Sequence, residues 1–185
     1  LKVVAVPAAE LTSKMKIYCL EILTRLAAGE VILGDGSYIF TLERRGYATA
    51  GMWTPESAAE HPDAVHQLGI EFARAGADVT QTFYSGVTGQ TAQGMQILGE
   101  MVLDFIEVFF NVSIQVDEIN QSACDIANRV SASKDTIVAA GVTQTGMFQG
   151  DGARPSKQAV QDELREALKI YKKNKINLVI VEVRL

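Results

Sequence analysis

The chain has 185 residues, of which 48% are hydrophobic and 21% are charged, and its formal net charge is -5. This length predicts a single domain with one core. The acidic balance argues against nucleic acid or an anionic membrane surface as partner, because both require a basic stripe and the Lys and Arg residues here are scattered. A small ligand is the expected class of partner.

Two cysteines are present, Cys19 and Cys124, and they stand in unrelated contexts. Without paired spacing they indicate neither a disulfide framework nor a zinc knuckle, so a reducing, cytoplasmic setting is expected. The first residues are apolar but lack a basic start followed by a long apolar core, so we expect no signal peptide. The start at Leu1 rather than Met raises the expectation that the chain is a fragment.

The first predicted elements are a helix and the strand that it leads into. A helix over 13–28 is indicated by Gly29 just past its end and by an apolar stripe of Ile17, Leu20, Leu23, with Ile22 beside it, and Leu26. The apolar run 31–33 predicts a short strand buried on both faces. The glycines of Gly34-Asp35-Gly36 then mark a turn. The stretch "GDGSYIF" lacks the glycine pattern of a phosphate-binding loop and is not followed by an evident helix.

Three helix and strand pairs are predicted downstream. Helix starts at 54–56 and 61–63 precede a strand over 77–83, and the second helix carries a stripe of Val65, Leu68, Phe72 and Ala75 before Gly76. A helix over 117–130 with the face Ile119, Ala123, Ile126, Ala127 and Val130 precedes a strand over 136–142. A helix capped by Ser156, with the face Val160, Leu164, Ala167, Leu168 and Tyr171, precedes a strand over 177–183.

This alternation predicts an α/β fold with parallel strands and right-handed crossovers. An open doubly wound sheet and part of a (β/α)8 barrel both remain possible at this point. One apolar segment, 97–114, interrupts the pattern, and its Glu100, Asp104 and Glu107 argue against a transmembrane helix. A buried or amphipathic helix and an insertion foreign to the fold are the alternatives for that segment.

In either architecture ligands bind at the carboxyl ends of the strands. The chemistry-bearing residues at those ends are Asp35, Gly36, Thr82, Phe83, Tyr84, Thr143, Gln144 and Glu182. Several have structural alternatives: Asp35 suits a tight turn, Trp53 a staple against the following helix, and Glu182 an ion pair. The histidines His61 and His66 are five residues apart, which does not place both on one helical face, so a metal-binding His pair is not expected.

The sequence resembles a known family over most of its length. The run "LAAGEVILGDGSYIFTLERRGYATAGMWTPESAAEHPDAVHQLGIEFARAGADVTQTFY" and the weaker blocks "NQSACDIANRV", "IVAAGVTQT" and "NLVIVEV" are similar to the amino-terminal part of betaine–homocysteine S-methyltransferases, in the zinc-dependent homocysteine methyltransferase family. The resemblance implies a (β/α)8 barrel and methyl transfer from betaine to homocysteine, giving methionine and dimethylglycine. It also implies substrate contacts by Asp35, Gly36, Trp53, Phe83, Tyr84 and Glu182.

Physical chemistry is consistent with these implied roles. Betaine has a quaternary ammonium without N–H, so it must be held by cation–π contact with aromatic faces such as those of Trp53, Phe83 and Tyr84. Homocysteine has a cationic amino group, for which Asp35 and Glu182 are suitable partners.

The family binds its zinc through three cysteines, and those positions do not occur in this chain. We therefore expect about the first four βα units of a barrel: a helical lead-in at 1–30, a partial homocysteine-binding domain at 31–185 and an insertion at 98–112. No catalytic residue and no metal ligand is expected, and the chain alone is expected to be inactive without zinc. The alternatives are a non-catalytic binding or regulatory module, self-associating or paired with a full-length relative, and an incomplete gene product.

Overall fold

The computed structural model describes residues 21–48, 57–82, 112–142 and 156–181. The helices in these ranges are α1 (21–27), α2 (Tyr38–Arg44), α3 (Ser57–Glu60), α4 (Pro62–Arg74), α5 (Val112–Lys134) and α6 (Lys157–Lys173). The strands are β1 (Val79–Gln81), β2 (Ile137–Val142) and β3 (Leu178–Val181). None of the helices in these ranges is both long and apolar enough to cross a membrane.

The strands form one parallel sheet in chain order, β1-β2-β3. Val79 pairs with Ile137 in the first ladder, and Ala139 pairs with Leu178 in the second. Helix α5 connects β1 to β2, and α6 connects β2 to β3. The predicted alternation of helices with parallel strands is therefore confirmed for this part of the chain.

The two faces of the sheet pack against different elements, because side chains alternate between faces along a strand. On one face, strand residues pack against α5 and α6 in a cluster of Cys124, Ala127, Val138, Ala140, Tyr171 and Ile176. On the other face, strand residues pack against α1 in a cluster of Ile22, Val79, Ile137 and Ala139, with Ile32, Leu178 and Ile180 beside it. Helix α4 packs against α5 through a third cluster that includes Val65, Leu68 and Ala123.

Helices α4, α5 and α6 occur where the sequence predicts them. The predicted face of α5 is buried at Ile119, Ala123, Ile126, Ala127 and Val130. Ser156 caps α6, since its hydroxyl accepts a hydrogen bond from the Ala159 N–H at 3.1 Å. Ala75 departs from the predicted stripe of α4 because it follows the last helical residue and is exposed. The apolar residues 97–111 lie outside the described ranges.

Residues 31–35, which we name the edge segment, are not the doubly buried strand predicted for 31–33. Val31 is 76% exposed and Leu33 is 51% exposed. The segment meets β1 through one parallel bridge, Gly34 to Val79. It lies at the edge of the described sheet, where only the side chain of Ile32 reaches the core. Edge position therefore explains why the burial prediction for this run is wrong.

Helix α1 ends as predicted, but its buried face differs. Gly29 follows the helix with φ +82°, a left-handed conformation that glycine adopts without strain. Ile22 is buried, whereas Leu23 and Leu26 of the predicted stripe are 48% and 45% exposed. Within 21–27 the helix contacts the sheet through Ile22, the residue beside Leu23 in the predicted stripe, whereas Ile17 and Leu20 lie outside the described residues.

Helix α2 corrects the expectation that no helix follows the glycine turn. Its N-cap residue, Ser37, makes no side-chain capping hydrogen bond, and no acidic residue lies in its first turn. Tyr38 and Leu42, four residues apart, are both buried. Packing of this face against the core, rather than a start signal readable in the sequence, stabilises the helix.

Candidate functional site

The carboxylate of Asp35 lies at the carboxyl end of the edge segment and is fixed by two hydrogen bonds. Its Oδ2 accepts a hydrogen bond from the Gln81 N–H at 2.8 Å, and Gln81 is the last residue of β1. The hydroxyl of Tyr38, at the start of α2, also donates to this carboxylate. The side chain is thus held at the edge of the sheet where parallel α/β folds bind ligands.

Burial raises the pKa of the Asp35 carboxyl from 3.8 to about 6. The hydrogen bonds from Gln81 and Tyr38 oppose this rise, because they stabilise the ionised form, but burial has the larger effect. The same burial, with the neighbouring Asp35 charge, raises the pKa of Tyr38, so its hydroxyl stays protonated and donates. Among the described residues no salt bridge involves Asp35. This arrangement favours a cationic ligand.

Two glycines let the Asp35 turn sit directly on α4. The ring of Tyr38 meets Phe72 edge-on, with centroids 5.3 Å apart and planes at 72°. A Cβ on Gly36 would lie 2.5 Å from Cε1 of Phe72. A Cβ on Gly69 would lie 3.0 Å from the Tyr38 hydroxyl oxygen. The absence of side chains at these positions therefore allows the aromatic pair to fix the turn.

The predicted site residues fall partly inside the described ranges. Asp35 and Gly36 are adjacent to Tyr38 and Phe72 as given above, and Thr82 is buried with its N–H donating to the Ala139 carbonyl oxygen at 2.8 Å. The other candidates lie outside the described residues: Trp53, Phe83, Tyr84, Thr143, Gln144 and Glu182. Glu182 follows the last residue of β3 directly in sequence.

The histidines have separate surroundings. His61 precedes α4 and its ring centroid is 5.4 Å from that of Tyr47. His66 lies within α4, and burial together with Arg129 lowers its pKa. In the part of the chain that the structure describes, no group of three or more His, Cys, Asp or Glu residues could hold a metal ion.

Tyr38 is the residue that sequence reasoning missed. A possible signal was a polar aromatic residue three positions after Asp35. Its orientation depends on the space left by Gly69 and on contact with Phe72, and both belong to a helix about thirty residues further along the chain. Local spacing cannot reveal such a contact.

Cys124 is fully buried in the helical layer between α5, β2 and α6. We expect its thiol to react with a chromogenic thiol reagent only when the protein opens, because reaction requires an accessible thiolate. In the Cys19→Ser variant Cys124 is the remaining cysteine, so the modification rate reports on this thiol alone. The rate should rise through the urea unfolding transition. Reaction of the native variant as fast as that of free cysteine would contradict the burial.

Comparison with known proteins gives a consistent result. Residues 32–184 match the family model described as homocysteine S-methyltransferase. Betaine–homocysteine S-methyltransferase 1 from Danio rerio is 39% identical over 163 residues, which is 87% of this chain and 36% of that protein. The Mus musculus protein of the same name is 40% identical over 161 residues, again 87% and 36%. The chain thus spans little more than a third of the length of these relatives.

Two further relatives extend the comparison. The S-methylmethionine–homocysteine S-methyltransferase from Pongo abelii is 37% identical over 163 residues, covering 87% of this chain and 38% of that protein. The crystal structure of the homocysteine methyltransferase from Escherichia coli, in its metallated form, superposes with a TM-score of 0.57 at 20% identity. That superposition covers 82% of this chain and 53% of the other, and it shows a shared fold. By the family match over most of its length, the chain belongs to the homocysteine S-methyltransferase family.

Proposed function

We propose that this chain supplies the substrate-orienting portion of a betaine–homocysteine S-methyltransferase, with Asp35 binding the amino group of homocysteine. The observation that carries the proposal is the half-buried Asp35 carboxylate, held by Gln81 and Tyr38 at the carboxyl end of the strands. A desolvated carboxylate without a cationic partner among the described residues suits an incoming ammonium. The names of the relatives supply the substrate, homocysteine.

The fold that we propose for this function is about the first four βα units of a (β/α)8 barrel, at 31–185, after a helical lead-in at 1–30. Support comes from the sequential parallel order of the edge segment, β1, β2 and β3. The apolar residues 98–112 are proposed as an insertion into the second crossover. Cytoplasmic location is part of the proposal, because the two cysteines, Cys19 and Cys124, lack the paired spacing of a disulfide framework.

In the proposed complex the ionised Asp35 pairs with the homocysteine ammonium while Tyr38 and Gln81 keep the carboxylate oriented. The ammonium favours the charged form of Asp35, so binding should lower its pKa from about 6. Affinity should be constant above that pH and fall below it, by about tenfold for each unit of pH. Glu182 is proposed as a second acidic partner of the same group.

The methyl donor that we propose is betaine. Its quaternary ammonium offers no N–H, so the aromatic rings of Trp53, Phe83 and Tyr84 would hold it by cation–π contact. In the reaction the homocysteine thiol releases its proton to solvent, and its sulfur forms a bond to a methyl carbon of betaine. The carbon–nitrogen bond breaks, and its electron pair stays on the dimethylglycine nitrogen.

The residues of this chain do not fit the zinc site that activates the thiol in the family. A thiolate zinc site needs several Cys or His ligands, and Cys19 and Cys124 are the cysteines of this chain. Cys124 is fully buried in the apolar cluster between α5, β2 and α6. We therefore propose that residues 1–185 alone bind no stoichiometric zinc and do not catalyse methyl transfer.

Calorimetry on the purified 185-residue chain tests these statements together with metal analysis and an assay for methionine. We expect saturable binding of homocysteine, a saturable change of Trp53 fluorescence with betaine, no bound zinc and no methionine. Absence of saturable homocysteine binding would contradict the substrate-orienting role. Clear turnover from betaine and homocysteine would contradict the proposal that the chain alone is inactive.

A second candidate is a non-catalytic module that pairs with a full-length relative or with itself. It is favoured by the exposed apolar residues on α1 and the edge segment, Leu23, Leu26, Val31 and Leu33. Light scattering on the chain, alone and mixed with a betaine–homocysteine methyltransferase, should then show a dimer or a mixed complex. A monomer at every concentration in both samples would exclude this candidate.

A further inference from the structure

The edge segment is fastened to β1 by a carboxylate on each side of its one bridge. Before the bridge, Oδ2 of Asp78 accepts a hydrogen bond from the Leu33 N–H at 2.9 Å. After the bridge, Oδ2 of Asp35 accepts from the Gln81 N–H at 2.8 Å. These two side-chain oxygens accept hydrogen bonds that backbone carbonyl oxygens would accept if the parallel ladder continued on both sides of the bridge from Gly34 to Val79.

Arg25 of α1 binds Asp78, the one of these two carboxylates that lies at the amino end of β1. Its Nη2 lies 2.9 Å from Oδ1 of Asp78, and its Nε lies 2.8 Å from Oε2 of Glu30, which directly precedes the edge segment. The Leu33 N–H and then the Arg25 guanidinium lower the pKa of Asp78, so Asp78 is ionised and accepts from both. Arg25 thus bridges Glu30, which precedes the edge segment, and Asp78, which precedes β1.

Packing contributes little to the placement of the edge segment, because Val31 and Leu33 are exposed and Ile32 alone reaches the core. Its position relative to β1 depends on the backbone hydrogen bonds at Leu33 and on the Asp78 carboxylate. Asp35 lies two residues after Leu33. A shift of Leu33 along β1 would therefore move Asp35 away from the Gln81 N–H.

We propose that Arg25 and Asp78 are positioning residues that set the location and hydrogen bonding of the Asp35 carboxylate. The expected change in homocysteine affinity rests on the proposed function. The expected changes in Gln81 amide exchange and in the Asp35 pKa, measured without ligand, do not. The charged side chains around the hydrogen bond between Leu33 and Asp78 are those of Arg25, Glu30 and Asp78 itself. Tyr38 faces Asp35 from α2.

The test compares Arg25→Gln and Asp78→Ala with Arg45→Gln as matched control. Arg45 forms a similar salt bridge, with Nη2 2.6 Å from Oε2 of Glu71 on α4, and this salt bridge does not involve the edge segment. Three quantities are measured on the full 185-residue chain. They are the exchange rate of the Gln81 amide, the pKa of the Asp35 carboxyl group from the NMR shift of its carboxyl carbon, and the homocysteine dissociation constant. Unfolding in urea shows that each variant is folded.

In Asp78→Ala the Gln81 amide should exchange about tenfold faster and homocysteine should bind about fivefold more weakly, the size expected for one lost hydrogen bond. The pKa of Asp35 should rise, because it loses a donor that stabilises its charge. Arg25→Gln should change all three quantities in the same direction by less, and it carries the test if Asp78→Ala does not fold. Arg45→Gln should leave them unchanged.

The inference is overturned if Arg25→Gln and the folded Asp78→Ala variant lose stability but keep wild-type values for the Gln81 amide and the Asp35 pKa. Those two measurements need no ligand. If the wild type itself fails to bind homocysteine, the proposed function fails, and the ligand-free measurements still decide whether Arg25 positions Asp35.

Discussion

The Asp35→Asn protein should be more stable than the wild type at pH 7.5. Folding raises the pKa of this carboxyl from 3.8 to about 6, so the ionised group destabilises the folded state by up to about 3 kcal/mol at high pH. The sign follows from the raised pKa: the destabilisation is complete above about pH 6 and vanishes below pH 3.8. Asparagine keeps an oxygen that accepts from the Gln81 N–H, so the substitution removes the charge without removing the acceptor.

The same substitution should weaken homocysteine binding about 10- to 100-fold, because a charged hydrogen bond to the ammonium is lost. Urea unfolding at several pH values and calorimetry measure the two effects. Asp63→Asn is the control, since Asp63 is an exposed carboxylate in the first turn of α4. A stability gain for Asp35→Asn that does not depend on pH, or homocysteine affinity equal to the wild type, would contradict the role assigned to Asp35.

The Gly36→Ala protein should be less stable by about 1–3 kcal/mol, the usual cost of overpacking. The added Cβ would lie 2.5 Å and 2.8 Å from two ring carbons of Phe72. Relief of this clash requires the Phe72 ring or the turn to move, and movement of the turn would displace the Asp35 carboxylate. Thermal unfolding and homocysteine titration should therefore both respond.

Gly34→Ala is the matched control for Gly36→Ala. A Cβ at Gly34 meets nothing within 4 Å, although both glycines flank Asp35. Adding Phe72→Leu to Gly36→Ala removes ring carbons at the clash, so the double variant should recover part of the lost stability. Equal destabilisation by alanine at both glycines, with no recovery in the double variant, would contradict this account. It would show that glycine is required at position 36 for backbone freedom and not for contact with Phe72.

The sequence predicts those parts of the fold in which burial follows local periodicity. The buried face of α5 and the Ser156 cap of α6 are examples, because each depends on residues within one or two turns. Helix α2 and the exposed side of the edge segment could not be predicted in this way. Tyr38 is buried by a later helix, and Arg25 meets Asp78 across 53 positions of sequence.

For the candidate site, the sequence predicts the placement of Asp35 but not its chemistry. The rule that ligands bind at the carboxyl ends of parallel strands makes Asp35 one of several candidates, and the family resemblance implies its contact with the homocysteine amino group. Its raised pKa depends on desolvation by the surrounding fold and on the donors Gln81 and Tyr38. The sequence places Gly36 in a turn, whereas its close approach to Phe72 depends on the position of α4.

The central claim is that Asp35 binds the amino group of homocysteine. Its most direct test is the pKa of the Asp35 carboxyl group, followed by the NMR shift of its carboxyl carbon with and without saturating homocysteine. In the free protein the pKa should be about 6. With homocysteine bound it should fall, because the ammonium stabilises the carboxylate. Saturable binding of homocysteine with an unchanged Asp35 pKa would contradict the claim that this carboxylate binds the amino group.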